Sequence, residues 1–247
     1  MLAGRGRSRP PDGHPGSLGL CVLEAVLAPR VGTTTTTAAV ERYRALRSEA
    51  LADPDADGAD ALLAVLEELG DEGWSARVGT RHRAWPAPTA PLKATATRLA
   101  ARALVGAGVR TTTDLLRLLD AALEPVVLGP VLLEPVAEEP AGSPPTAGGW
   151  HRLRRAWTAV PGQGSGSSWH WLHQLAGSRR VVPDLAARRL VARALGPPLR
   201  SVDGSAAAAA LEGAAAALGV PARELDHAAW RAAARSGRAP LQPLPAP

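Results

Sequence analysis

Apolar side chains recur at helical spacing in almost every stretch of this 247-residue chain that is free of Gly and Pro. Strand formers are sparse: Phe is absent, Tyr43 is the one tyrosine, and Trp supplies most of the aromatic mass. Alanine, leucine and arginine favour helix wherever Gly and Pro do not interrupt. The expected class is all-α. Leu18–Ala28 is apolar almost all round and stops at Pro29, which predicts a buried helix. "TTTTTAAVERYRALRSEAL" predicts a second, capped by one of its threonines, with Val40, Tyr43, Leu46 and Leu51 on one face. Asp55–Gly70 opens on acids and closes on glycine, as a helix should. Further helices are expected at Trp74–Val78, at Leu92–Gly106 and, from Thr/Asp capping chemistry, over "VRTTTDLLRLLDAAL" to Leu123.

Six prolines then break the pattern between Pro125 and Gly149, which predicts an extended insertion. Helices resume at Trp150–Ala159, Ser165–Ala176 and Leu185–Leu195. Two alanine-rich helices, Ser205–Leu218 and Ala222–Arg235, carry no chemistry visible in the sequence. The expected layout is a disordered basic arm (1–16), one helical domain (17–235) and a proline-rich tail (236–247). Cys21 is the only cysteine, which excludes an internal disulfide framework and any four-cysteine zinc or iron–sulfur site within one chain. It fits a reducing cytoplasm. The arm lacks a signal-peptide core, and no run of about 18 apolar residues is present, so no membrane span is expected.

Charge is distributed unevenly. Residues 148–202 hold nine arginines and one acid, Asp184, a net +8 in a chain whose formal charge is +5. Such a stretch is the electrostatic footprint of a face that meets a polyanion; it is equally the footprint of a solvated helix surface. At its centre Trp150, Leu153, Trp157 and Val160 make a helical apolar face, "PGQG" stops that helix, and Trp169, Leu172 and Leu175 resume the spacing. The glycines therefore sit in a hairpin (149–177) between two helices rather than in a domain linker. Backbone N–H groups at the second helix start favour an anion, and side-chain-free glycines let a phosphate approach.

"AVPGQGSGSSWHWLHQLAG" followed by "VVPD" resembles the helix-hairpin-helix (HhH-GPD) DNA glycosylases, the superfamily of endonuclease III, MutY and AlkA. Pro161, Gly162 and Gly164 match the superfamily's hairpin, Ser167 its Thr/Ser position, Ser168 its small residue and Asp184 its aspartate, with "LAARRLVARALG" as the helix that follows. "PLKATATRLAARAL" is similar to the helix that precedes the hairpin. The resemblance covers Ser17–Gly196 and implies two helical lobes with a cleft. It implies Asp184 as the catalytic acid, an ionised carboxylate that stabilises oxocarbenium character and orients water. It implies contacts to double-stranded DNA from Gly162, Gln163, Gly164, Ser165, Gly166, Ser167, Ser168, Lys93, Arg179 and Arg180. A monovalent cation at the hairpin is compatible with it, and no other cofactor is expected. The chain departs in two places: Gln163 replaces the hydrophobic residue between the glycines, and Gly166 replaces the lysine of the lyases. Schiff-base chemistry needs an amine, so hydrolysis by a monofunctional enzyme is the expected reaction.

Simpler roles stand beside these. "PD" before a helix is also a good N-cap. His170 and His173 lie at i and i+3 with no adjacent acid to complete a site, which points to surface or core roles. "GTRHRAWPAP" is a basic loop whose Trp85 suits a base stack or a plain surface. Three functions follow: a base-excision DNA-repair glycosylase, monomeric and cytoplasmic or nucleoid-associated; a non-catalytic DNA-binding protein of the same fold; and a helical protein-interaction module.

Overall fold

The computed structural model describes residues 12–29, 31–79, 81–123, 147–196 and 202–236. Among these residues are ten α-helices, one 3-10 turn and no strand, with a single isolated bridge between Arg83 and Leu92. The fold class is all-α. The described residues fall into two compact units, one within His14–Gly164 and one within Met1–Gly13 and Ser165–Pro247. No single described helix is long and apolar enough to cross a bilayer. The expected insertion falls outside the described residues up to 146, as do residues 1–11 of the arm, 237–247 of the tail and Arg200.

The unit His14–Gly164 contains α1 (Leu18–Leu27), α2 (Thr33–Glu49), the 3-10 turn Pro54–Ala56, α3 (Ala59–Arg77), α4 (Lys93–Gly106), α5 (Thr112–Leu123) and α6 (Ala147–Ala159). α1 is buried at every position but Glu24, as its all-round apolarity predicts. Ser17 caps it, its Oγ accepting from Leu20 N at 3.2 Å. The arm does not stay apart from the fold: His14 Nε2 meets Glu24 at 2.9 Å, and Pro15 O accepts from Thr112 Oγ1 at 2.6 Å. α3 breaks at Gly70 (φ 63°, ψ 177°), which is why the periodicity reads as two helices. α5 opens with a reciprocal capping box, Asp114 N to Thr111 Oγ1 at 3.1 Å and Thr111 N to Asp114 Oδ2 at 2.9 Å. The threonine cap expected on α2 is not made: Gly32 holds the N-cap position, and Thr33–Thr37 all lie inside the helix, Thr36 facing the core.

Asp57 is the polar centre of this unit. Its backbone oxygen accepts from Gly19 N and Ser17 Oγ, and its carboxylate accepts from Tyr43 OH at 2.7 Å and from Arg47 Nε and Nη2 at 2.7 and 3.0 Å. The hydrogen bond to Asp57 raises the Arg47 pKa, while burial, then the carboxylate, raises that of Tyr43. One residue, through its backbone oxygen and its carboxylate, thus ties the start of α1 to α2.

The unit that begins at Ser165 contains α7 (Ser167–Leu175), α8 (Leu185–Leu195), α9 (Gly204–Leu218) and α10 (Ala222–Ser236). Asp203 caps α9, and Gly219 closes it in the left-handed region (φ 64°), where glycine is favoured. Its core joins Val181, Val191, Ala207, Ala208, Leu211 and Ala229. Three of these six are alanines, which let helices approach but bury little apolar area; Trp169, Leu172 and Leu175 are buried in the same unit.

Candidate functional site

The expected hairpin (149–177) crosses the boundary between the two units at Gly164 and Ser165, and each side belongs to its own unit. On the α6 side, Trp150, Leu153, Trp157 and Val160 are all buried and Arg152 and Arg155 exposed, which is the face the periodicity predicts. Gly162 has φ +81°, and a Cβ there would lie 2.8 Å from Ala84 O. Its need for glycine therefore comes from its own turn and from the loop packed against it. Gly164 is different: it is exposed, its φ is not positive, and a Cβ would meet nothing nearer than Thr158 O at 3.8 Å.

The loop against Gly162 is the basic stretch that follows Gly79. Ala84 N to Pro91 O (2.9 Å) and Lys93 N to His82 O (2.8 Å) close it, and Arg83 Nη1 donates to Ala90 O. It leaves Trp85 41% exposed. His82, Arg83, Trp85, Pro86, Ala87 and Pro88 line an open cavity of about 450 Å³. Two features far apart in sequence, the Trp85 loop and the Gly162 turn, are thereby neighbours.

On the α7 side, Gly166 (φ +77°) is the N-cap and offers no side chain to the helix start. Ser165 is exposed, its Oγ accepting from Ser167 N at 3.3 Å. Ser167 Oγ donates to Asp184 Oδ2 at 2.8 Å, and Asp184 Oδ1 accepts from Ala187 N at 2.8 Å. Asp184 therefore caps α8, and both of its oxygens are engaged at 3% exposure. Arg179 is exposed and Arg180 half-buried.

Three of the residues expected on DNA point elsewhere. Lys93 is 1% exposed; its Nζ donates to Val26 O at 2.6 Å and Pro29 O at 2.9 Å. It satisfies carbonyls at the C-terminal end of α1, where a cation is favoured, and is a fold residue rather than a phosphate contact. Gln163 is fully buried, turned inward as the apolar residue of that position would be. Ser168 is 1% exposed, filling the small-residue position.

Sequence reasoning missed the chemistry of α10. His170 does have an acid: Asp226 Oδ2 lies 3.6 Å from its Nδ1, which donates to Val182 O at 2.7 Å. Gln174 Nε2 donates to Asp226 Oδ2 at 2.7 Å, and Gln174 Oε1 accepts from Arg223 Nε at 3.0 Å. Burial raises the Asp226 pKa, against the opposing effect of His170 and Gln174. Trp230 stacks on Trp171 (5.2 Å), His227 (5.8 Å) and His170 (6.0 Å). Arg223, Asp226, His227 and Trp230 fall at i, i+3, i+4 and i+7, one helical face in an alanine background, and that spacing was the available signal.

Burial, with help from Arg231, His170 and Arg223, pushes the His227 pKa down to about 4. The unfolded chain takes up this proton near pH 6.5 and the folded chain refuses it until about pH 4, so stability falls as pH drops through that window. The raised Asp226 works in the opposite direction. His227→Phe removes only the first contribution. From pH 7 to pH 4.5 the variant is expected to lose about 2 kcal/mol less stability than the parent, measured by urea unfolding at each pH.

No curated protein and no solved structure matches the chain. A family model does, over residues 2–126 and 144–234, and the gap between those segments falls inside the proline-rich stretch. The match covers more than half of the chain and reaches every helix, so the protein belongs to the family described as "Domain of unknown function (DUF8548)".

Proposed function

We propose that this protein binds duplex DNA in the manner of the helix-hairpin-helix glycosylases and hydrolyses the N-glycosidic bond of a damaged base. The observation that carries the proposal is the 2.8 Å hydrogen bond from Ser167 to Asp184. It joins the serine of the hairpin motif to the one acid of the arginine-rich stretch, 17 residues away in sequence. A phosphate would sit at the start of α7, beside Gly166, where the helix dipole and backbone N–H groups favour an anion. Arg179 and the exposed Arg189 and Arg193 add positive charge on the same unit. The Trp85 loop offers an exposed indole for base stacking next to the Gly162 turn.

The chemistry then rests on Asp184. As the base departs from C1′, positive charge develops on the deoxyribose; the carboxylate stabilises it and orients the attacking water. The target nucleotide must leave the stack to reach it. Lyase chemistry is not part of the proposal. Lys93 is the only lysine in the chain, and its ammonium is held inside the fold. A monovalent cation at the hairpin would share loop carbonyls that already accept within the turn, those of Val160 and Pro161, and no step depends on it.

A second reading is a DNA-binding protein without catalysis. The observation that favours it is Asp184 itself, 3% exposed with both oxygens bonded as in a purely structural cap.

Gly164→Val tests the DNA contact common to both readings, because that position tolerates a Cβ. Binding of an undamaged duplex is expected to fall steeply with salt, and the variant to bind about tenfold more weakly at unchanged thermal stability. Binding that ignores salt and this substitution would leave the protein-interaction module as the better account.

A further inference from the structure

We infer that His170 and Asp226 are positioning residues for Asp184, and that α10 thereby belongs to the functional site. The inference rests on the catalytic reading of Asp184 above.

α7 presents Ser167, His170 and Gln174 at i, i+3 and i+7, one face of the helix. Each holds a different part of the same support. Ser167 Oγ holds the Asp184 carboxylate directly at 2.8 Å. His170 Nδ1–H holds the carbonyl of Val182, two residues before Asp184, at 2.7 Å. A carbonyl only accepts, so Nδ1 must carry the hydrogen. Gln174 holds Asp226, and Asp226 Oδ2 lies 3.6 Å from the same His170 nitrogen, beyond hydrogen-bond distance but near enough for its charge to favour the N–H there. Arg223 closes the series, donating from Nε to Gln174 Oε1 at 3.0 Å and from Nη2 to Gln174 O at 2.7 Å.

The setting argues for orientation rather than cohesion. His170, Gln174, Asp184 and Asp226 are 1%, 2%, 3% and 0% exposed. A carboxylate so placed is costly unless fully paired, yet Asp226 Oδ1 and His170 Nε2 have no hydrogen-bond partner among the described residues. Apolar side chains would join α7 to α10 more cheaply, and the surrounding helix is already rich in alanine. What the polar series supplies, and leucine would not, is a fixed direction for the Val182 carbonyl and hence for the turn that delivers Asp184. Outer partners of this kind set a reacting group's geometry without touching substrate.

The experiment compares His170→Leu, His170→Asn and Asp226→Asn in the full chain. Asparagine can present its Nδ2–H where histidine presents Nδ1–H. The probes are duplexes carrying uracil, hypoxanthine, 8-oxoguanine or an alkylated adenine. Single-turnover base release and duplex Kd are measured on the best of them. His170→Leu is expected to slow release at least tenfold with Kd unchanged, His170→Asn to recover most of that loss, and Asp226→Asn to slow release severalfold. Amide exchange at Ala187, whose N–H is held by Asp184, gives a readout that needs no substrate: it should quicken in His170→Leu and stay slow in His170→Asn. Failure of the parent to release any base sinks the catalytic reading alone, and Ala187 exchange then decides the positioning claim. Equal exchange in parent and His170→Leu overturns it. So does an asparagine variant that restores nothing, or a loss of release that only follows a loss of stability or of Kd.

Discussion

Asp57→Ala is expected to destabilise the unit His14–Gly164 by about 3 kcal/mol, because breaking a buried ion pair strands the partner that remains. Asp57 is 6% exposed and receives Tyr43 OH and both arms of Arg47, so its loss leaves a buried hydroxyl and a guanidinium without their acceptor. Arg47 keeps some contact with water (20% side-chain exposure), which places the effect at the lower end of the range for buried pairs. Asp57→Asn retains an acceptor for Tyr43 and is expected to cost about half as much. Urea unfolding followed by amide exchange within α2 reports on the same unit, since Tyr43 and Arg47 lie on that helix. A change below about 1 kcal/mol in Asp57→Ala would mean that the apolar core around α1 holds α2 by itself.

The helices were legible because their signals are local. α8 runs Leu185–Leu195 as read, between an Asp cap and Gly196, and α5 begins at its own Thr111–Asp114 capping box. Gly70 was read as a helix end and is a break within α3, since the chain resumes helical geometry at once. Within the candidate site, the local geometry was legible at Gly162, whose turn takes a positive φ, and at Asp184, which caps α8 as an aspartate before a helix should; the positive φ expected at Gly164 falls at Gly166 instead. The site was illegible where partners come from far along the chain. Nothing near Lys93 announces that its ammonium reaches carbonyls 64 and 67 residues earlier. Nothing near His170 announces Asp226, because an alanine-rich helix hides four polar and aromatic side chains that share one face. Burial also reversed the sense of polar residues: Gln163 and Ser168 read as contacts for DNA and instead fill the interior.

The largest functional effect is expected at Asp184. Asparagine is as good an N-cap as aspartate and nearly the same shape. Asp184→Asn therefore keeps a bond from Ala187 N and can present its amide to Ser167 Oγ, so the fold should be unchanged to within about 0.5 kcal/mol. Asp184→Ala, which loses the cap, should cost about 1 kcal/mol. What asparagine cannot supply is negative charge as the glycosidic bond breaks. Removing one group that stabilises transition-state charge costs on the order of a hundredfold or more in rate. The observed cap and the proposed catalytic role of this side chain are thereby separated.

The most direct measurement is release of free base from duplexes carrying deaminated, oxidised or alkylated bases, by the parent and by Asp184→Asn at equal DNA occupancy. The account predicts release by the parent from at least one of them, without strand cleavage by a lyase step, and a loss of at least a hundredfold in the variant at unchanged stability and duplex affinity. Equal release by parent and variant, or tight duplex binding with no base released from any of these substrates, would contradict it.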